Sequence, residues 1–324
     1  MRINWRIVIS VAMLGVVLPL AMSQLGFGQT TATAPATAVD YVISGGAKMA
    51  KGDYDGAIAD YGKALTIEPN KYIYINRGNA KFAKGDLNGA IADFDSALAL
   101  AREHDPFAMF SDAFYYRGRA EYERGLKGDL NPPSASVRLD LDAALGDFAC
   151  APDFPMAWYY RANAESLTGN RDAAIADYGR AIRDDPKNAM AHFSRGVLQI
   201  ESGKFDAAIS DLTHALELDP HLTKSLHYRG IAKQSKGDLD GAIADWTLIL
   251  QGDPKNAATY RLRADAKRKT GDLDGALADI DAAMMFEPKS VDYYTRAFAK
   301  EDKGDTEGAA ADFARGDRLL PRPK

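Results

Sequence analysis

Aspartates and arginines recur along this chain at near-constant spacing, and carboxylates beside guanidinium groups are the one combination repeated often enough to suggest chemistry. Asp60, Asp93, Asp147, Asp177, Asp211, Asp245, Asp279 and Asp312 form one series, and Arg77, Arg117, Arg161, Arg195, Arg229, Arg263 and Arg296 form the other. Paired carboxylates can serve as general acid and base. Eight equivalent positions, however, do not make one active site. The series reads instead as ion pairs. The first aspartate has Ser44 where later copies have arginine, and no copy stands before it. That coincidence predicts a ladder in which each arginine meets the aspartate of the preceding copy, Arg195 with Asp177, leaving Asp312 over at the far end. Exposed pairs of this kind contribute roughly 0–1 kcal/mol, whereas cutting one partner from a buried pair costs about 3–5 kcal/mol.

Other reactive residues are sparse. The histidines are His104, His192, His214, His221 and His227. None has a metal-ligand spacing with a second His, Cys or carboxylate, and His192 and His227 read as helix-surface residues. Cys150 is the single cysteine, which excludes an intrachain disulfide. It lies far from the N-terminus, which removes a lipid-anchored form, and reads as a small residue on a helix. Neither a phosphate-binding glycine loop nor a nucleophile elbow is present. The sequence therefore predicts no enzyme, no cofactor and no metal.

What positions the charged series is a repeat. Gly-Asp-Tyr-Asp-Gly-Ala-Ile-Ala-Asp-Tyr at 52–61 returns as Gly-Asp-Leu-Asn-Gly-Ala-Ile-Ala-Asp-Phe at 85–94 and as Gly-Asp-Leu-Asp-Gly-Ala-Ile-Ala-Asp-Trp at 237–246. The anchor alanines are Ala57, Ala90, Ala144, Ala174, Ala208, Ala242, Ala276 and Ala309, spaced 34, 34, 34 and 33 residues apart from Ala174 onward. A period of this size signals stacked units that bury their apolar faces against one another. With the alanine at position 20 of each copy, arginine falls at position 7 and aspartate at position 23. Position 8 is Gly or Ala, position 24 aromatic or large apolar, position 27 small except at Ile249, and position 32 proline in six copies. Proline there ends the second helix and suits the start of the next.

On these residues the chain resembles the tetratricopeptide repeat (TPR) family, in a variant rich in Arg-Gly/Ala and Asp, over roughly residues 38–321. The resemblance implies an all-α, right-handed superhelical α-solenoid of about eight helix pairs. The copies fall at about 38–70, 71–104, 111–154, 155–188, 189–222, 223–256, 257–289 and 290–321. Between the two helices every copy carries glycine (Gly52, Gly85, Gly125, Gly169, Gly203, Gly237, Gly271, Gly304), which is expected to end the first helix in the left-handed conformation. Asp or Asn follows in six copies as a candidate cap for the second helix. Copy 3 carries an insertion near 126–140, including Asn131-Pro132-Pro133-Ser134, which is either neutral or a functional loop. The last copy turns polar, with Ala310 and Asp317 where others have Ile or Leu, although Phe313 and Leu320 are expected to be partly exposed.

The resemblance also implies that the first helices line a binding groove through positions 2, 5, 9 and 12, one stripe at helical spacing. Met156 and Tyr159 begin the apolar part of the stripe. The predicted binding residues are Tyr159, Met190, Phe193, Val197, Ile200, His227, Ile231, Arg261 and Arg268, the last two on a charged face shared with Asp265. The Lys, Asn and Arg set that some family members use to clamp a terminal carboxylate is lacking, since Asn76, Asn79 and Asn163 have no basic partners in place.

The N-terminus has Arg2, Arg6 and then an apolar run from Ile7 to Met22 broken only by Ser10. This is the pattern of a secretory signal, expected at 1–23 with cleavage after Ser23, followed by a flexible linker at 24–37; residues 322–324 form a short tail. An uncleaved anchor in the inner membrane is the alternative. The formal charge of -5 becomes -7 without Arg2 and Arg6, which argues against nucleic acid as a partner. The reading is a non-enzymatic scaffold or adaptor of the bacterial cell envelope, periplasmic or secreted, holding a protein or peptide segment in its groove. The alternative is a structural envelope protein that is membrane-anchored or self-associates through Phe313 to Leu320.

Overall fold

The computed structural model describes residues 36–104, 110–128, 130, 133–154 and 156–319. The expected signal peptide, nearly all of the linker and the tail lie outside the described residues. Two compact units, Met1–Asp177 and Tyr178–Lys324, divide the chain inside one helix. Unit 1 contains α1 (Ala38–Ala50), α2 (Tyr54–Ile67), α3 (Lys71–Lys84), α4 (Leu87–His104), α5 (Ser111–Gly125), α6 (Ala135–Ala149), α7 (Ala157–Thr168) and the first half of α8 (Arg171–Asp184). Unit 2 contains the rest of α8, then α9 (Ala189–Glu201), α10 (Phe205–Leu218), α11 (Thr223–Lys236), α12 (Leu239–Gly252), α13 (Ala257–Thr270), α14 (Leu273–Phe286), α15 (Ser290–Asp302) and α16 (Thr306–Leu319). Both units are all-α, with no strand among the described residues beyond an isolated bridge between Leu130 and Pro133.

Each copy folds as a helix pair because its turn is chemically specified. In α3 the chain ends at Gly85 with φ of 90°, and the amides of Gly85 and Asp86 donate back to the carbonyls of Phe82 and Lys81 at 2.9 Å each. Asp53, Asp86, Asp238, Asp272 and Asp305 then accept from the amide of the glycine three residues on, at 2.8–3.0 Å. Each such cap is worth roughly 1 kcal/mol. Seven of the eight inter-helix glycines take positive φ. Gly125 does not. It is the last, buried residue of α5, where an added Cβ would lie 3.4 Å from Asp140 and Leu141, so its role is close approach to α6.

The two helices of a copy then lock through positions 8 and 24. A Cβ on Gly78 or Gly230 would stand 2.6 Å from the ring of Phe94 or Trp246, and both rings are fully buried. Burying a side chain of this size contributes roughly 1.5–3 kcal/mol. In copy 3 the inserted residues join this core: Val137 is buried, and Leu126 and Leu130 pack against the same cluster as Leu141 and Phe148. Arg124 reaches Asp140 at 2.6 Å across the loop.

The ion-pair ladder differs from the expectation. Arg195 donates to Asp211 of its own copy, Nε and Nη2 each at 2.7 Å, and Arg77, Arg117, Arg161, Arg229, Arg263 and Arg296 likewise hold Asp93, Asp147, Asp177, Asp245, Asp279 and Asp312. Asp312 is not left over. In copy 1 the Ser44 hydroxyl and Lys48 Nζ replace the arginine, each 2.6 Å from Asp60. The reason is geometric: positions 7 and 23 lie equally far from the turn of an antiparallel pair. Copies are joined by other atoms. Nη1 of Arg229 and Arg263 donates to Thr213 and Thr247 of the preceding copy at 3.1 and 3.0 Å, and Nη1 of Arg117 and Arg296 reaches Asp95 and Asp281. A second, exposed ladder runs Lys84 to Asp55, Lys236 to Asp206 and Lys303 to Asp274.

Candidate functional site: the face of the first helices

In unit 2 the stripe begins on α9. Met190 is 44% exposed, and Phe193, Val197 and Ile200 are half-buried, while Ala191, Gly196 and Leu198 between them are buried. An alternation of this kind means that one side of α9 packs into the unit and the other keeps its apolar residues partly exposed. On α11, Tyr228 meets the Phe193 ring edge-on at 5.7 Å. His227 is half-buried, and burial lowers its pKa, which favours the neutral imidazole on the stripe. Ile231 packs against the cluster of Ala242 and Trp246, so part of it is core.

The charged end of the stripe is occupied by the protein itself. Arg261 Nε donates to Asp292 at 2.5 Å, and that aspartate is fully buried at the start of α15. Glu287 adds a second contact at 3.4 Å. Arg268 reaches Asp302 at 2.8 Å and lies over the Phe298 ring. Both guanidinium groups therefore tie copy 7 to copy 8. Tyr159 belongs to unit 1, on α7, half-buried with its ring 5.5 Å from Tyr160.

His192 is not on the surface as expected. It is 8% exposed, with Nδ1 3.2 Å from Asp211, Nε2 3.3 Å from the Pro186 carbonyl and its ring stacked on His214. Its place at position 4, on the packing side of the helix, is the reason. Cys150 is an exposed residue at the end of α6.

Two hollows escaped the sequence reading. One of about 290 Å³ in unit 1 is lined by Phe82, Leu87, Arg119, Glu123 and Lys127, and the Arg119 guanidinium lies between the rings of Phe82 and Tyr160 at 5.0 and 4.9 Å. The other, of about 450 Å³ in unit 2, has Leu216, Leu226 and Leu248 in its wall. Position 26 signals it, since Leu248 stands where other copies have Lys63, Ser96, Cys150, Arg180, His214, Ala282 and Arg315. Among the described residues no group of three or more His, Cys, Asp and Glu could hold a metal ion, and no helix is long and apolar enough to cross a membrane.

Residues 45–105 and 168–222 match the family model of the tetratricopeptide repeat. No curated protein matches the chain. Among solved structures, a MamA protein is 19% identical with a TM-score of 0.49, covering 51% of this chain and 91% of that one. MamA 41-end from Desulfovibrio magneticus RS-1 is 16% identical with a TM-score of 0.49, covering 51% and 94%. A tetratricopeptide repeat protein from Parabacteroides merdae is 20% identical with a TM-score of 0.38, covering 88% and 94%. At these values none of the three structures bears on function.

Proposed function

We propose that this chain is a non-enzymatic interaction scaffold or adaptor of the cell envelope that holds a peptide or protein segment along the first-helix face of unit 2. The observation behind this is the surface of α9. Met190, Phe193, Val197 and Ile200 follow one another along one face, Met190 exposed and the other three partly so. Apolar surface of this kind marks interaction sites, aromatic residues in it are frequent hot spots, and methionine adapts to irregular apolar partners. The chemistry suits an apolar or amphipathic segment, because the basic groups nearby, Arg261 and Arg268, are already paired. Export rests on Arg2, Arg6 and the apolar run after them.

Phe193→Ala in the full chain should weaken recovery of the native envelope partner by about 2 kcal/mol or more while helicity and melting temperature change little. Loss of stability with binding intact would assign Phe193 to the core and end this reading. N-terminal sequencing of the exported protein should find the chain beginning near Gln24; an intact Met1 in the membrane fraction would favour the anchored form. One observation supports self-association as the second reading: Met285, Val291 and Leu319 in the last two copies are 74%, 49% and 55% exposed. Light scattering of the purified protein separates the two.

A further inference from the structure

Copies 3 and 4 reverse the charge at position 11, with Glu121 and Glu165, and in copy 4 Arg161 stands 3.8 Å from that glutamate. Copies 1, 2, 6, 7 and 8 place Lys48, Lys81, Lys233, Lys267 and Lys300 within 2.6–2.9 Å of the position-23 aspartate. Copy 3 places Glu121 there. Glu121 on α5 is 8% exposed and Asp147 on α6 is 5% exposed. Glu121 thus stands where the lysines of other copies reach the position-23 aspartate, each of the two carboxyl groups acts on the other, and Glu121 Oε2 is buried with no hydrogen-bond partner.

The cations around them are already engaged. Arg117 of α5 grips Asp147 with Nε and Nη2 at 2.7 Å each, and its Nη1 reaches Asp95 of α4 at 2.5 Å. Arg124 of α5 is held by Asp140 of α6 at 2.6 Å and by Asn88 of α4. On α3, Arg77 and Lys81 bind Asp93 of α4; on α7, Arg161 binds Asp177 and lies 3.8 Å from Glu165. Three carboxylates, Glu121, Asp147 and Asp95, thus surround one bidentate guanidinium. Two buried carboxyl groups in contact do not both ionise without a large penalty.

We infer that Glu121 and Asp147 hold a single proton between them, and that its loss at alkaline pH is a built-in switch that loosens α5 from α6 in copy 3. Burial first, then the charge of Asp147, pushes the Glu121 carboxyl from its ordinary 4.5 up to about 8. Burial is also the main cause that raises Asp147. The two groups titrate as a pair. Because the folded chain binds this proton more tightly than the unfolded chain, the contribution is fully present below about pH 4.5 and is lost as pH rises toward about 8. The same helix pair carries the insertion, through Leu126, Leu130 and Val137, so the loop is released along with it.

Hydrogen exchange of the full chain, corrected for intrinsic rates and compared at about pH 6 and about pH 9, tests the switch. In the wild type, α5 and α6 should lose protection at the higher pH while α1 and α2 do not. Glu121→Gln keeps a donor for Asp147 but has no charge to gain, so the loss should vanish. Glu121→Lys restores the pattern of the other copies and should leave copy 3 the better protected at the higher pH. The same pH dependence in Glu121→Gln as in the wild type overturns the inference. If the variants do not fold, isotope-edited infrared spectroscopy of the wild type decides. A protonated carboxyl band that persists at about pH 6 and fades toward about pH 9 supports the shared proton, and its absence at the lower pH overturns it.

Discussion

Copy 8 and copy 3 hold the same buried aspartate in opposite ways. Asp312 receives Arg296 and Lys300 at 2.7 and 2.8 Å; burial raises its pKa, but these two donors outweigh burial and hold the carboxyl below its ordinary range. Asp147 receives Arg117 alone, faces Glu121, and is raised. Asp60 in copy 1, with Lys48 and Ser44 as donors, behaves like Asp312 and is lowered. The comparison teaches that position 23 tolerates different neighbours, provided one strong donor is kept. In copy 3, where Glu121 stands in place of the second donor, the shared proton takes over its part.

The largest effect should come from removing the arginine where nothing else supports the aspartate. Arg117→Met leaves two buried carboxyl groups with no cation bonded to either, and should destabilise copy 3 by about 3–5 kcal/mol. Arg229→Met in copy 6 leaves Lys233 at 2.9 Å from Asp245, so its cost should be only about 1.5–3 kcal/mol. Denaturant unfolding of the two variants, with exchange protection in α6 and α12 as local readouts, measures the difference. Equal losses would mean that the second cation contributes nothing and that the comparison between copies is empty.

A double-mutant cycle sharpens the geometry. Arg263 and Asp279 should couple by about 0.5–3 kcal/mol, whereas Arg263 and Asp245, the aspartate of the preceding copy, should couple by less than the error of the measurement. A larger coupling to Asp245 would restore the cross-copy ladder that the sequence suggested.

That expectation failed for a specific reason. Repeat period, anchor alanines, glycine turns and aspartate caps are local, and each was legible because one residue type does one job: Asp86 caps, Gly85 turns, Gly78 admits Phe94. The pairing of Arg with Asp is tertiary, and two registers fit the same spacing. Ser44 tipped the choice, since a missing arginine in copy 1 looks like a missing neighbour; in fact its hydroxyl donates to Asp60. Distance from the turn was the better guide. On the stripe, the exposure of Met190 was readable from helical spacing, but the spacing of Arg261 and Arg268 carries no information on the carboxylates that occupy them. Arg119 escaped notice because its partners are aromatic rings of the copies on either side.

The smallest effect should come from the second ladder, and it bounds what the copies gain from one another through exposed charge. Lys84 and Asp55 approach to 2.6 Å, but their side chains are 49% and 77% exposed. The hydrogen bond to Asp55 raises the Lys84 pKa, which shows attraction and not stability, because water and salt screen such a pair and two long side chains must be ordered to form it. Lys84→Ala should leave the unfolding midpoint unchanged at physiological salt, and at low salt should lower it slightly. A clear loss that persists in high salt would mean that the aliphatic stem of Lys84, and not its charge, packs across the boundary between copies 1 and 2. In that case the exposed ladder would belong with the buried network as part of what holds unit 1 together, and the contrast between copies 3 and 8 would describe only half of the inter-helix energetics.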